Sequence, residues 1–258
     1  MAKSRALENA ESTLARLRAQ HPDAHCELDH RTPFQLLVAT VLSAQTTDVN
    51  VNKVTPELFS RWPTADALAA ADPAEVEKVI GSLGFFRQKT KSIVSLSQGL
   101  VERHGGAVPR TLDELTKLRG VGRKTANVVL GVAFGAPEGV VVDTHVQRIS
   151  QRLGWTKNTE PEKIERDLVK LFPRKDWDPV SHTLIFHGRR ICTAARPACS
   201  ACSVNDACPS AFKAEKVGRK PPRIRVPARK GPGRPEATGT VKRKKAPAKR
   251  GSPKRRAR

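Results

Sequence analysis

Phe34, Leu37, Val38, Val41 and Leu42 recur at the i, i+3, i+4, i+7, i+8 spacing that gathers apolar side chains on one helical face. The same period returns at Ile93, Val94, Leu96, Leu100 and Val101, and His104-Gly105-Gly106 closes that run. Asp72-Pro73 reads as a helix start, with Asp as the cap and Pro at the first helical position. "TLDE" (111–114) has the capping-box pattern and opens a short helix. Further helical periods fit about 122–134, 144–153, 160–171 and 177–191. Only "GVVVD" (139–143) has the composition of a strand, and one short strand has nothing to pair with. The pattern predicts an all-α chain without internal repeats.

Charge divides the 258 residues into two unlike parts. The chain carries a formal +22, of which +17 falls between Ala211 and the C-terminus. The remaining 210 residues balance 28 basic against 23 acidic groups, as an ordinary globule does. The basic stretch is rich in proline and poor in large apolar residues, so 211–258 is expected to be a disordered tail attracted to phosphate backbones. No apolar run approaches the roughly 20 residues that cross a bilayer, so no membrane partner is expected. The charged, amphipathic N-terminus lacks the apolar segment of a signal peptide. Those features predict a cytosolic protein with reduced thiols. No oligomer signal is visible, and a monomer is expected.

Four of the five cysteines then stand out. Cys192, Cys199, Cys202 and Cys208 follow C-x6-C-x2-C-x5-C within 17 residues. Four thiolates so close can wrap one metal centre, and the spacing leaves zinc and an iron–sulfur cluster both open. Cys26, far away, reads as a lone core thiol.

"LRGVGRKTA" joins a short helix to a longer one through Gly120-Val121-Gly122. Glycines permit a sharp turn, and the amides at the following helix N-terminus make an anion site. This is a helix-hairpin-helix, a grip on a DNA phosphate that positions without reading sequence. Gly120, Val121, Gly122, Arg123 and Thr125 are its expected DNA contacts. For Lys124 to act as a nucleophile its amine must lose its proton, and Arg123 with the helix N-terminus would push that way. Asp143 lies 19 residues on, in "VVVDTHVQR". By local pattern it simply caps the helix that contains His145 and Arg148. His182 and His187 are five apart, off the i, i+4 register of ligands on one face, and are expected in polar core or groove roles. Trp62, Trp155 and Trp177 are expected to be packing residues.

"LSAQTTD", "LRGVGRKTANVVL", "VDTH" and the cysteine spacing, in this order, resemble the endonuclease III family of base-excision DNA glycosylases with associated lyase activity. The likeness spans nearly all of 5–210 and omits the tail. It implies two helical domains with a DNA groove between them. A six-helix barrel domain with the hairpin would occupy 26–136; an iron–sulfur domain would combine 1–25 with 137–210. The resemblance implies a 4Fe–4S cluster on the four cysteines, Lys124 as nucleophile and Asp143 as the catalytic carboxylate. It also implies that Gln45 fills the gap left by an extruded nucleotide, that Phe85 stands in a loop wedged into the duplex, and that His145 meets DNA. The substrate would be duplex DNA with oxidised pyrimidines or abasic sites, in a bacterial cytoplasm at the nucleoid. The alternatives are an adenine-mismatch-type glycosylase and a non-catalytic DNA-binding protein with a structural metal. Two positions depart from the family pattern: Arg119 replaces the usual proline of the hairpin, and Thr116 stands where some members carry glutamate.

Overall fold

A computed structural model of the chain describes residues 2–218, with side chains from residue 9 onward. Its regular elements are helices: α1 (Ala2–Gln20), α2 (Pro33–Leu42), α3 (Asp48–Arg61), α4 (Ala65–Ala69), α5 (Pro73–Ile80), α6 (Phe86–His104), α7 (Leu112–Thr116), α8 (Arg123–Phe134), α9 (Thr144–Arg152), α10 (Pro161–Leu171) and α11 (Trp177–Arg190). No strand occurs among the described residues, and "GVVVD" runs as an irregular link between α8 and α9. None of these helices is long and apolar enough to cross a membrane.

The helix starts follow the side chains the sequence offers. Asp72 Oδ1 accepts from Ala74 N at 2.9 Å, and Pro73 occupies the first turn of α5, where its missing N–H costs nothing. Thr32, Thr47, Thr64 and Thr111 cap α2, α3, α4 and α7 in the same manner. At Thr111 the capping box takes a variant form. Its hydroxyl accepts from Glu114 N and donates to Glu114 Oε2 at 2.8 Å, so the carboxylate meets the hydroxyl. α6 ends at Gly105 in the left-handed region, with Gly106 N returning to Leu100 O at 3.0 Å.

Two hydrophobic cores organise these helices. The first takes its buried side chains from residues 28–130, among them Leu36, Leu37, Leu58, Ile80, Leu96 and Leu130. The second joins Ala10, Leu14 and Leu17 of α1 to Val146 and Ile149 of α9, Leu168 of α10 and Leu184 of α11. The first helix of the chain is therefore packed against residues between Val140 and Val204. Trp62 is half-buried against the first core, Trp155 and Trp177 against the second.

The ordered body runs further than its composition suggested. Residues 211–218, expected to belong to a disordered tail, fold back as a turn with a short 3-10 segment at Ala214–Lys216. Ala214 is buried, and Val217 O accepts from Arg152 Nε at 2.8 Å. The remainder of the expected tail, 219–258, lies outside the described residues.

Candidate functional site

The hairpin connects α7 to α8. Gly120 adopts φ +80°, and an added Cβ would sit 3.2 Å from Ser92 Cβ, so a side chain there is both strained and crowded. Gly122 is different. It caps α8 with no side-chain hydrogen bond to the helix N-terminus, and among the described residues nothing lies within 4 Å of a notional Cβ. Lys124, in the first turn of α8, is exposed.

Asp143 does cap α9. Its Oδ1 accepts from His145 N at 2.7 Å and from Val146 N at 2.8 Å, and Oδ2 takes no hydrogen bond within the described residues. Lys124 and Asp143 nonetheless line one pocket, together with Cys26, Thr46, Asp48, Ser181, His182 and Arg189. The cap and the pocket carboxylate are the same side chain. Helix-capping geometry holds one oxygen still and leaves the other for the cavity.

Asp48, at the start of α3, was not singled out by sequence. It is half-buried, and burial raises its pKa above the ordinary aspartate value; Lys124 opposes the shift and Asp143 adds to it. Arg189 NH2 donates to Asp48 Oδ2 at 3.1 Å and also pairs with Glu27. Cys26 packs against the first core as a lone thiol and also lines this pocket, and burial raises its pKa.

Three non-glycine residues have positive φ among the described residues: Gln45, Phe85 and, beyond the cysteines, Phe212. Gln45 (φ 55°) and Phe85 (φ 59°) are exposed, non-glycine residues in the left-handed region, a conformation that costs each of them about 1 kcal/mol. Phe85 is 70% exposed while Phe86 packs on the first core, so the pair divides into one ring outward and one inward. Lys89, on α6 behind Phe85, is buried and hydrogen-bonded to the Thr46 hydroxyl beside Gln45. Burial lowers its pKa. The two strained loops are thus joined by one buried amine, which sequence reading missed.

Other expected DNA contacts are placed differently. Val121 is a core residue, 5% exposed, and its amide donates to Leu118 O at 3.2 Å; its contribution to the hairpin is packing. Arg123 does not offer a free charge beside Lys124. Its Nε and NH2 donate to Glu165 Oε2 and Oε1 at 2.8 and 3.0 Å, a bidentate clamp from α8 to α10. Glu165 is only 7% exposed and also accepts from Asn127 Nδ2 at 3.4 Å. A side chain at Gly139 would collide with it. The His145 ring is half-buried with Arg148 NH2 3.2 Å from Nδ1, and burial lowers its pKa. Thr125 is half-buried, and Thr116 turns its hydroxyl back to Leu112 O at 2.9 Å.

At the other end of the second core, Cys192, Cys199, Cys202 and Cys208 line a single pocket, closed by Ile149, Arg152, His187, Val204 and Ala214. No group of three or more His, Cys, Asp or Glu among the described residues is drawn in tightly enough to hold a single ion. The thiols ring a space instead of meeting at a point. Burial lifts the Cys202 and Cys208 thiols above their ordinary value, and the neighbouring cysteines lift them further, so a bound cation would displace protons there. Arg152 is 1% exposed and has no carboxylate partner among the described residues. Its donors go to the carbonyls of Val217, Thr193 and Ala194 and to Cys192 Sγ at 3.2 Å. A fully buried cation with only neutral acceptors calls for a nearby anion, and four metal-bound thiolates would be one. The donor set and this buried charge fit a thiolate-ligated metal group.

Comparison with known proteins places this arrangement. Residues 38–174 match the model of the HhH-GPD superfamily of base excision DNA repair proteins. The endonuclease III of a Synechocystis strain is 54% identical over 204 residues, covering 79% of this chain and 93% of that protein. The chain belongs to the endonuclease III family. By that membership it is a base-excision repair DNA glycosylase and AP lyase. The endonuclease III of Bacillus subtilis is 44% identical over 215 residues, covering 82% of this chain and 97% of the relative. A solved structure of a trapped endonuclease III–DNA covalent intermediate aligns with TM-score 0.75 and 44% identity, over 80% of this chain and 97% of that one. The family's all-helical fold and its DNA-binding function therefore hold here.

Proposed function

We propose that Lys124 is the nucleophile and Asp143 the catalytic carboxylate of an enzyme that removes oxidised pyrimidines from duplex DNA and cuts the resulting abasic strand. The observation that carries this reading is the presence of both side chains on one pocket, one at each of two helix N-termini. A base cannot be attacked within the stack, so the nucleotide must be extruded into that pocket. Gln45 and Phe85, exposed and held in strained backbone by surrounding structure, suit side chains pressed into the duplex where the nucleotide leaves. The clear amides around Gly122 suit a phosphate of the same strand.

The chemistry follows from the groups present. Lys124, as the neutral amine, forms a bond to C1′ of the sugar while the C1′–base bond breaks and the base departs with a proton. Ring opening gives a protonated Schiff base, which acidifies the C2′–H bond. Loss of that proton expels the 3′ phosphate by β-elimination, and water then releases the lysine. Asp143 is positioned to offset cationic sugar character and to relay protons through its free oxygen. Asp48, whose raised pKa eases protonation, is a second proton-handling group on the pocket wall.

The four cysteines are read as ligands of a 4Fe–4S cluster, which supplies a buried, anionic cross-link for the chain around it. Residues 26–136 form one wall of the groove in this reading, and 1–25 with 137–210 the other. A panel of lesion-containing duplexes, scored separately for base loss and nicking, tests the function. Release of oxidised pyrimidines followed by 3′ cleavage is expected. Salt-sensitive binding without either product would leave a duplex-gripping protein.

A further inference from the structure

His21, just past α1, and His187, in α11, are buried at 4% and 2% exposure, and neither lines the groove pocket. His21 Nε2 stands 3.0 Å from His187 Nδ1, and His187 Nε2 stands 3.6 Å from Cys202 Sγ. The rings meet edge to face, with centroids 5.2 Å apart. Two imidazoles therefore run in file from the first helix to one of the four cysteines.

The protons of this file have a direction. A neutral imidazole has one N–H and one lone pair. In one arrangement His21 donates from Nε2 to His187 Nδ1, and His187 donates from Nε2 to the sulfur. The single unmatched atom is then a lone pair on His21 Nδ1, and that atom is indeed buried with no hydrogen-bond partner among the described residues. In the reverse arrangement His187 donates to His21. That leaves an N–H stranded at the buried His21 Nδ1 and turns the lone pair of His187 Nε2 toward the sulfur. A metal-bound thiolate has no proton to offer, so two electron-rich atoms would face each other. An orphaned buried donor and a repulsive contact together disfavour the reverse arrangement.

We propose that His21 and His187 form a one-way donor relay into Cys202 Sγ that raises the reduction potential of the cluster held there. The proposal rests on the reading that the four cysteines ligate a 4Fe–4S cluster. Reduction adds negative charge that spreads onto the ligand sulfurs, so an N–H aimed at one of them stabilises the reduced form more than the oxidised form. His21 strengthens that donor by hydrogen-bonding to the far side of the same ring. Arg152 reaches a different ligand, Cys192, as a fixed cation, so the two devices act on separate sulfurs.

Nitrogen-15 NMR of the histidine-labelled, cluster-loaded full chain at neutral pH reads the tautomers without altering the protein. Both rings are expected to carry their proton on Nε2; a proton on Nδ1 of His187 overturns the relay. Redox titration then compares the parent with His187→Phe and His21→Leu, matched for cluster content by visible absorption. The midpoint is expected to move to more negative potential in both, further in His187→Phe. An unchanged midpoint in the variants overturns the tuning. Should His187→Phe fail to assemble a cluster, the parent's tautomers and the His21→Leu midpoint decide the matter. A parent protein purified without oxygen that shows no visible absorption refutes the cluster and the relay together, an outcome distinct from a coloured protein with the wrong tautomer.

Discussion

At the groove pocket Lys124 is exposed and Asp143 half-buried, each held by the first turn of its helix. At the cysteine pocket Arg152 is 1% exposed and is fixed by carbonyls and by a cysteine sulfur. The first region leaves its charged groups open to solvent, so little of the protein's stability depends on them. The second surrounds its charge completely, so its loss disturbs folding before it disturbs chemistry. Kinetics are therefore the readout at the groove pocket, and melting temperature is the readout at the cysteines.

The sharpest break in that comparison is Lys124→Ala. Excision with strand cleavage is expected to fall on the order of 10³-fold or more, with melting temperature unchanged, as single-turnover assays beside a thermal melt would register. Asp143→Asn separates the two duties of one side chain, because asparagine caps a helix about as well as aspartate. Turnover should drop roughly 10²- to 10⁴-fold while the melting temperature holds; a matched loss of stability would mean that Asp143 is only a cap. Arg152→Met reverses the pattern. With the buried cation gone from beside the thiolates, we expect a loss of about 3 kcal/mol in denaturant unfolding and a lower cluster content. Retention of full colour and stability would show that the guanidinium balances nothing.

Glu165→Gln tests a smaller coupling, the clamp from α10 to Arg123. The pair is half-exposed on the arginine side, so solvent screening limits the cost to about 1 kcal/mol. Its kinetic trace should be a modest weakening of DNA binding as α8 loosens, visible in a binding titration. The smallest effect belongs to Asp48. Burial raises its pKa in the folded state, so its contribution is fully present below the ordinary aspartate range and is lost as pH rises through the shifted value. Asp48→Asn stays neutral throughout and escapes that loss. The melting temperature of the variant relative to the parent should therefore increase from acid pH to neutrality; a gap that is flat or narrows would contradict the assignment.

The helices and the cysteine pocket were legible because their signals are local. Asp72-Pro73, the 3.6-residue apolar period and four cysteines within 17 residues need no knowledge of the fold. The groove was legible only through family resemblance, since Asp143 read locally as a helix cap, and a helix cap it is. Glu165, Lys89 and Asp48 escaped notice for a common reason. Their partners Arg123, Thr46 and Arg189 lie 42, 43 and 141 residues away, and nothing in "PEKIERDLVKL" marks one glutamate as buried. Val121 misled in the opposite sense. A valine between two glycines of a hairpin turn looks available to a partner, yet its side chain is buried in the first core.

The most direct trial of the whole account is borohydride reduction of the parent protein on an abasic-site duplex, followed by peptide mapping of the adduct. A stable protein–DNA species with the sugar remnant on the Nζ of Lys124 is the predicted result. A remnant on any other residue, or no adduct while the strand is still cleaved, would contradict it.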